Sequence, residues 1–188
     1  MERMRIRTDL ALEARESFEG SEEEVHGVIV EEDYDEHKDI RLTRVQIVSE
    51  RGAREMGKPM GNYLTLEAPG MASPDEDYHR EISETLACYL KELMGEEKER
   101  SILVAGLGNR DVTPDALGPK TVSNLLITRH LIKEYGKEVM GTENCCQISG
   151  IVPGVMAQTG METLEIIRGV VQETKPSVVI AIDALAAR

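Results

Sequence analysis

The stretch Ile102-Leu103-Val104-Ala105-Gly106-Leu107-Gly108-Asn109 decides the fold class of this chain. A compact apolar run that ends in a Gly-x-Gly turn is typical of a buried parallel strand leading into a helix. Two more strands are predicted downstream, at 147–152 and Val178–Ile182, and the helical periodicity between the strands predicts helices at 114–135 and 159–174. This alternation predicts an α/β fold with a parallel sheet, flanking helices and right-handed crossovers.

A small antiparallel β section is predicted ahead of that sheet. Its strands are expected at 27–31, 40–48 and 62–67, with a loop at 33–38, a short helix at 51–56 and a longer helix at 74–97. The middle strand alternates apolar Val45 and Ile47 with polar residues, as a half-solvated antiparallel strand does. Ser73 is the expected N-cap of the longer helix.

The first 24 residues differ from the rest of the chain in charge and in apolar periodicity. They are charged, they lack apolar periodicity, and they end in the acidic run Glu22-Glu23-Glu24. We therefore expect residues 1–24 to form a mobile arm, and residues 25–188 to form a single α/β domain.

Charge and composition disfavour several classes of function. The chain has 35 acidic and 22 basic residues, a net charge of −13, which opposes binding to nucleic acid. Aromatic residues make up only 3% of the chain, too few for a platform that stacks bases. No apolar run reaches the roughly 18–20 residues of a membrane span. Three cysteines, an odd number, suit a reducing compartment, so we expect a cytoplasmic protein.

Two aspartates are the candidate catalytic residues. Asp115 follows the strand at 102–105, and Asp183 directly follows Val178–Ile182, so both fall at the sheet edge where ligands bind in parallel α/β folds. Each has a structural alternative, because Asp115 suits the first turn of a helix begun by Thr113 and Pro114, and Asp183 could cap a helix at Ala184. Two neighbouring carboxyl groups can share one proton and provide an acid and a base in one site.

The Gly-Leu-Gly-Asn turn at 106–109 is a weak match to a dinucleotide-binding loop, because position 111 is Asp where the third glycine would be needed. Close packing of strand against helix is the simpler explanation of the two glycines. Asn109 has two possible roles, a left-handed turn residue or a side-chain amide that contacts a bound carbonyl. Neither the serine at 149 nor the four histidines lie in a recognisable catalytic or metal-binding motif.

Several uninterrupted blocks of sequence resemble the germination protease family of spore-forming bacteria. They run over nearly the whole chain and keep one order. The blocks are 7–14, 63–67, 106–109, 112–120, 125–131, 151–156, 159–163 and 179–188.

The resemblance implies an aspartic-type endopeptidase that degrades small acid-soluble spore proteins during germination. The two catalytic aspartates proposed for that family map onto Asp115 and Asp183. Family members are made as zymogens and assemble as tetramers, so we expect self-cleavage between Asp9 and Leu10 and a homotetramer. The implied location is the cytoplasm of the forespore or spore core, with no cofactor or metal and no direct contact with nucleic acid or membrane.

Two alternatives to that function follow from the same residues. Gly-x-Gly-Asn followed by Asp115 and Gly118 is also similar to the hydrogenase-maturation endopeptidases, which implies a related core and a divalent metal held by Asp115 and Asp183. The chain ends five residues after Asp183, earlier than the family pattern, so we expect a domain truncated at its C-terminus. The second alternative is therefore an inactive relative that serves as a binding module.

Overall fold

The computed structural model of the protein describes residues 26–95, 100–141 and 145–185. The chain divides into two compact units, with the boundary after Gly95. The predicted arm at 1–24 and the predicted cleavage site at Asp9 and Leu10 lie outside the described residues. Within the described residues, no helix combines the length and the apolar character needed to cross a membrane.

The first unit contains the predicted antiparallel sheet, with its strands in the order β1-β2-β3. Its elements are β1 (Val28–Asp35), β2 (Ile40–Ile47), α1 (Glu50–Met56), β3 (Gly61–Glu67) and α2 (Glu76–Met94). Buried Val45 and Ile47 of β2 form a hydrophobic cluster with Met56 of α1. Burial of such side chains stabilises the folded state by about 1.5–3 kcal/mol each, so this cluster holds α1 on the sheet.

An ion pair connects α2 to the sheet. The guanidinium of Arg44 on β2 donates from Nη1 and Nη2 to the two carboxylate oxygens of Glu92, with Nη2 and Oε2 3.1 Å apart. Arg44 also lies 3.8 Å from Glu31 on β1. The bidentate geometry fixes the direction of both side chains more strongly than a single hydrogen bond would.

Two boundaries in the first unit differ from the sequence prediction. The predicted loop at 33–38 is wrong in its first half, because β1 continues to Asp35, which pairs with Ile40 across a tight hairpin. The predicted N-cap Ser73 is also wrong. Ser73 closes a short 3₁₀ turn by donating its N–H to Gly70, whereas the carboxylate of Asp75 accepts from the N–H groups of Asp77 and Tyr78 and starts α2.

The second unit contains the predicted parallel sheet, with its strands in the order β5-β4-β6. Its elements are β4 (Ser101–Gly106), α3 (Leu117–Ser123), α4 (Arg129–Tyr135), β5 (Gln147–Ile151), α5 (Met156–Thr159), α6 (Thr163–Thr174) and β6 (Val178–Ile182). The central strand β4 is buried throughout its apolar run, with Leu103 and Ala105 no more than 1% exposed. β4 therefore forms the core of this unit, as its sequence predicts.

The predicted continuous helix at 114–135 is interrupted between Ser123 and Arg129, and Thr128 accounts for the break. This side chain is 2% exposed, and its Oγ1 donates to the carbonyl of Cys146 and accepts from the N–H of Ile148. The N–H of Thr128 in turn donates to the carbonyl of Ile148. Thr128 thus bonds to the outer edge of β5 as a strand residue would, and the chain leaves helical geometry after Ser123.

The predicted helix at 159–174 begins later than expected. Gly160 adopts a φ of 70° and ends the single turn of α5. Helix α6 starts afresh at Thr163, where the N–H of Glu162 donates to the side chain of Glu165.

Strand β6 lies at one edge of the parallel sheet. Among the described strands it pairs only with β4, and its residue Val179 is 44% exposed.

Candidate active site

The carboxyl ends of β4 and β6 form one rim. Gly106 stands opposite Ile182 in the parallel register. Beyond that pair the N–H of Leu107 donates to the carbonyl of Ile182 over 2.8 Å. The loop that follows β4 is therefore bonded directly to the residue that precedes Asp183, and the loop that carries Asp115 shares this rim.

Asp115 lies in a 3₁₀ turn, Thr113–Asp115, ahead of α3. Its Oδ2 accepts a hydrogen bond from the backbone N–H of Asn109 over 2.8 Å, and the side chain is half-buried. The expectation that Thr113 caps a helix is wrong, because α3 starts only at Leu117 and no side chain caps the 3₁₀ turn. The carboxylate of Asp115 bonds back to the loop after β4 instead.

Gly108 provides the space for that carboxylate. It has a φ of 105°, which L-residues with side chains rarely adopt. A β-carbon at this position would lie 2.2 Å from the backbone carbonyl oxygen of Asp115 and 2.7 Å from its Oδ1. Both distances are too short for non-bonded atoms, so the position requires glycine.

Gly106 and Gly118 allow close contact between β4 and α3. A β-carbon on Gly106 would lie 2.3 Å from the carbonyl oxygen of Gly118. One on Gly118 would lie 2.4 Å from the carbonyl oxygen of Ile182 and 2.5 Å from the backbone nitrogen of Leu107. The interpretation of the Gly-x-Gly turn as a packing feature is confirmed, and α3 touches the ends of both β4 and β6.

Asp183 occupies the first position after β6 and is exposed. Its Oδ1 accepts from the N–H of the next residue, Ala184, over 2.9 Å. Residues 183–185 are not helical, and the rest of the helix that Asp183 was expected to cap lies outside the described residues. Asp183 is thus presented to solvent at the same rim as Asp115.

Asn109 makes three local hydrogen bonds. Besides the N–H bonded to Asp115, its Oδ1 accepts from the N–H of Asp111 and its carbonyl accepts from the N–H of Val112. These bonds support its role as a turn residue. Its Nδ2 has no partner among the residues that the structure describes, so a contact with substrate remains a prediction.

Sequence reasoning missed two supports of the loop. Nη1 of Arg110 donates to Oγ of Ser123 over 3.0 Å and ties the loop to the end of α3. The second support is the close packing of Gly118 against Gly106, which lies twelve residues earlier in the chain. Within the described ranges, no group of three or more His, Cys, Asp or Glu side chains is placed to hold a metal ion.

Known proteins match this chain over almost its full length. Residues 6–188 match the family model described as Germination protease. The germination protease of Caldanaerobacter subterraneus subsp. tengcongensis is 50% identical over 183 residues, which cover 97% of this chain and 55% of that protein. That of Clostridium perfringens is 44% identical over 184 residues, covering 97% and 56%. That of Bacillus cereus is 46% identical over 189 residues, covering 97% and 50%.

The chain spans about half the length of the curated relatives it matches. The match is nevertheless continuous through both units and includes the rim that carries Asp115 and Asp183. Because the family model covers nearly every residue, the chain belongs to the germination protease family.

Proposed function

We propose that the protein is an aspartic-type endopeptidase that degrades small acid-soluble spore proteins during germination. The observation that carries the proposal is the bond between Leu107 and Ile182, which joins the loops of Asp115 and Asp183 at one sheet edge. The relatives are germination proteases, which supports protein hydrolysis as the reaction class.

The proposed mechanism uses the two carboxyl groups as one acid–base pair. The ionised group takes a proton from water while the water oxygen bonds to the peptide carbonyl carbon, and the protonated group gives its proton to the carbonyl oxygen. The group that took the proton from water then gives it to the amide nitrogen as the C–N bond breaks, and one hydroxyl of the tetrahedral intermediate returns its proton to the other carboxylate, which releases an amine and a carboxylic acid. The pair ends with one proton, as it began.

Processing, assembly and location are part of the same proposal. We expect the chain to be made as a zymogen that cleaves itself between Asp9 and Leu10, to work as a homotetramer, and to reside in the cytoplasm of the forespore or spore core. A core related to that of the hydrogenase-maturation endopeptidases would suit the parallel sheet, in which β4 lies between β5 and β6. No cofactor is required for the chemistry.

The decisive experiment combines the purified chain with a small acid-soluble spore protein and follows the products by mass spectrometry. Cleavage after an acidic residue that precedes a large apolar residue, lost in Asp115→Asn and in Asp183→Asn, supports the proposal. Intact mass of the chain itself reports the Asp9–Leu10 cleavage in the same samples.

Two results would replace the proposal. Binding of the substrate without cleavage, equal in the wild type and Asp115→Asn, would identify a binding module instead. Cleavage that survives both aspartate substitutions would remove the pair from the mechanism.

A further inference from the structure

We propose that Gly108 is a positioning residue for Asp115, holding Oδ2 on the backbone and leaving Oδ1 as the oxygen that reacts. The inference rests on the proposed function, because it gives the two carboxylate oxygens of Asp115 different roles. It adds a residue that acts through the position of Asp115.

The role of Oδ2 follows from its donor. The N–H of Asn109 belongs to the backbone, so it cannot rotate away from Oδ2 as a side-chain donor could. The side chain of Asn109 further fixes this turn, since its Oδ1 accepts from the N–H of Asp111 over 3.0 Å. Oδ2 is therefore an acceptor in a rigid turn, and a proton carried by Asp115 belongs on Oδ1.

The role of Oδ1 follows from the empty space at Gly108. Oδ1 accepts no hydrogen bond from the residues that the structure describes, so it is available to water or to a second carboxyl group. A β-carbon on Gly108 would lie 2.7 Å from this atom and 2.2 Å from the Asp115 carbonyl oxygen. Any side chain at 108 must therefore push the carboxylate away from the Asn109 amide.

The same turn is also bonded to the residue that precedes Asp183. Gly108 directly follows Leu107, whose N–H donates to the carbonyl of Ile182, the residue before Asp183. A displacement of Asp115 from this turn thus alters its position relative to Asp183, and small misplacements of this kind can cost about 10²-fold in rate.

The test compares Gly108→Ala with Gly160→Ala in the full chain. Gly160 also has a positive φ, 70°, but a β-carbon there meets no atom within 4 Å. Gly160→Ala therefore reports the effect of a β-carbon on a positive-φ backbone where that carbon touches no other atom. With a spore protein as substrate, we expect Gly108→Ala to lower kcat by about 10²-fold with KM nearly unchanged, and Gly160→Ala to retain the kcat of the wild type.

Hydrogen exchange of the Asn109 amide, measured by NMR, gives a readout that does not depend on activity. We expect slow exchange in the wild type and in Gly160→Ala, and fast exchange in Gly108→Ala and in Asp115→Ala. Asp115→Ala removes the carboxylate acceptor without introducing strain at 108. Exchange of the Asn109 amide can therefore still be compared if Gly108→Ala does not fold.

The outcomes separate the two proposals. A kcat in Gly108→Ala equal to that of Gly160→Ala, or an Asn109 amide that stays protected without the Asp115 carboxylate, overturns the positioning role. A wild type without peptidase activity, whose Asn109 amide nevertheless loses protection in Asp115→Ala, overturns the proposed function and leaves the docking of Asp115 on the Gly108 turn supported.

Discussion

The N–H of Leu107 lies 2.8 Å from the carbonyl oxygen of Ile182, beyond the last paired residues of β4 and β6. This bond makes the loop after β4 a continuation of the sheet. Helix α3 closes on the same two residues through Gly118, whose missing side chain allows backbone atoms to meet. The rim is therefore built from contacts between backbone atoms.

Gly118→Ala and Gly169→Ala should change stability in opposite directions. Both glycines are helical, and alanine normally favours a helix by about 0.5–1 kcal/mol. A β-carbon on Gly169 of α6 meets nothing within 4 Å, so that variant should be more stable by about this amount. On Gly118 the β-carbon would overlap Ile182 and Leu107, and overpacking costs about 1–3 kcal/mol. Urea unfolding gives the change in the free energy of unfolding for each variant. Equal changes in the two variants would contradict the close packing at Gly118.

Asp115→Asn and Asp183→Asn should each lower kcat by about 10²–10⁴-fold, because each removes one partner of an acid–base pair. Asparagine at 115 retains a carbonyl oxygen that can accept from the Asn109 N–H, so the loop should remain folded. Asp111→Asn is the matched control, since Asp111 is exposed in the same loop and should retain full activity. Initial rates on a spore protein give the comparison, and a normal rate in either Asp115→Asn or Asp183→Asn excludes that residue.

Treatment with a chelator should leave proteolysis unchanged if the two aspartates share a proton. If Asp115 and Asp183 instead hold a divalent ion, as the likeness to hydrogenase-maturation endopeptidases implies, activity should fall and return when metal is added. The measurement is the cleavage rate before chelation, after chelation and after addition of Mg²⁺, Mn²⁺ or Zn²⁺ in turn. Restoration by any one of them would favour the metal-dependent mechanism.

Acid should weaken the first unit through the Arg44–Glu92 pair. Hydrogen bonding from Arg44 lowers the pKa of Glu92 from its ordinary value. Burial opposes this shift to a lesser extent, and charge attraction to the same guanidinium makes the smallest contribution, in the lowering direction. A depressed pKa in the folded state contributes stability above the pKa of the unfolded chain, and this is lost as the pH falls through the folded value.

Glu92→Gln should therefore reduce stability at neutral pH and make the loss of stability smaller between about pH 5 and about pH 3. The effect should be small because Glu92 is largely exposed and solvent screens the pair. Glu84→Gln on the same helix is the control, since Glu84 forms no ion pair among the described residues and should leave the pH profile unchanged. The measurement is the urea unfolding midpoint of the wild type, Glu92→Gln and Glu84→Gln across that pH range.

Sequence patterns were sufficient for the features that rest on burial and strand order. The apolar run before Gly106 predicted the central strand, and the alternation of strands and helices predicted the parallel sheet, both confirmed. The rule that ligands bind at the carboxyl ends of parallel strands singled out Asp115 and Asp183, which lie at one rim. Their catalytic role stays a prediction.

Features that depend on distant partners could not be predicted. The helical periodicity around Leu125 and Leu126 continues through a segment that is not helical, because Thr128 bonds to Cys146 and Ile148, some twenty residues away. The choice of Asp75 over Ser73 as N-cap depended on a 3₁₀ turn that the local sequence does not specify. The link from Asp115 to the Asn109 N–H likewise involves a backbone donor, which leaves no signal in residue identity.

The two sides of the parallel sheet differ in how they would receive an additional extended segment. Thr128 bonds to the N–H and the carbonyl of Ile148 and to the carbonyl of Cys146, so the first part of the β5 edge is already occupied. Among the described residues, none bonds to the outer edge of β6 in this way, and Val179 on this strand is exposed. Strand addition, including unwanted association between copies at high concentration, is therefore expected to proceed more readily along β6 than along β5.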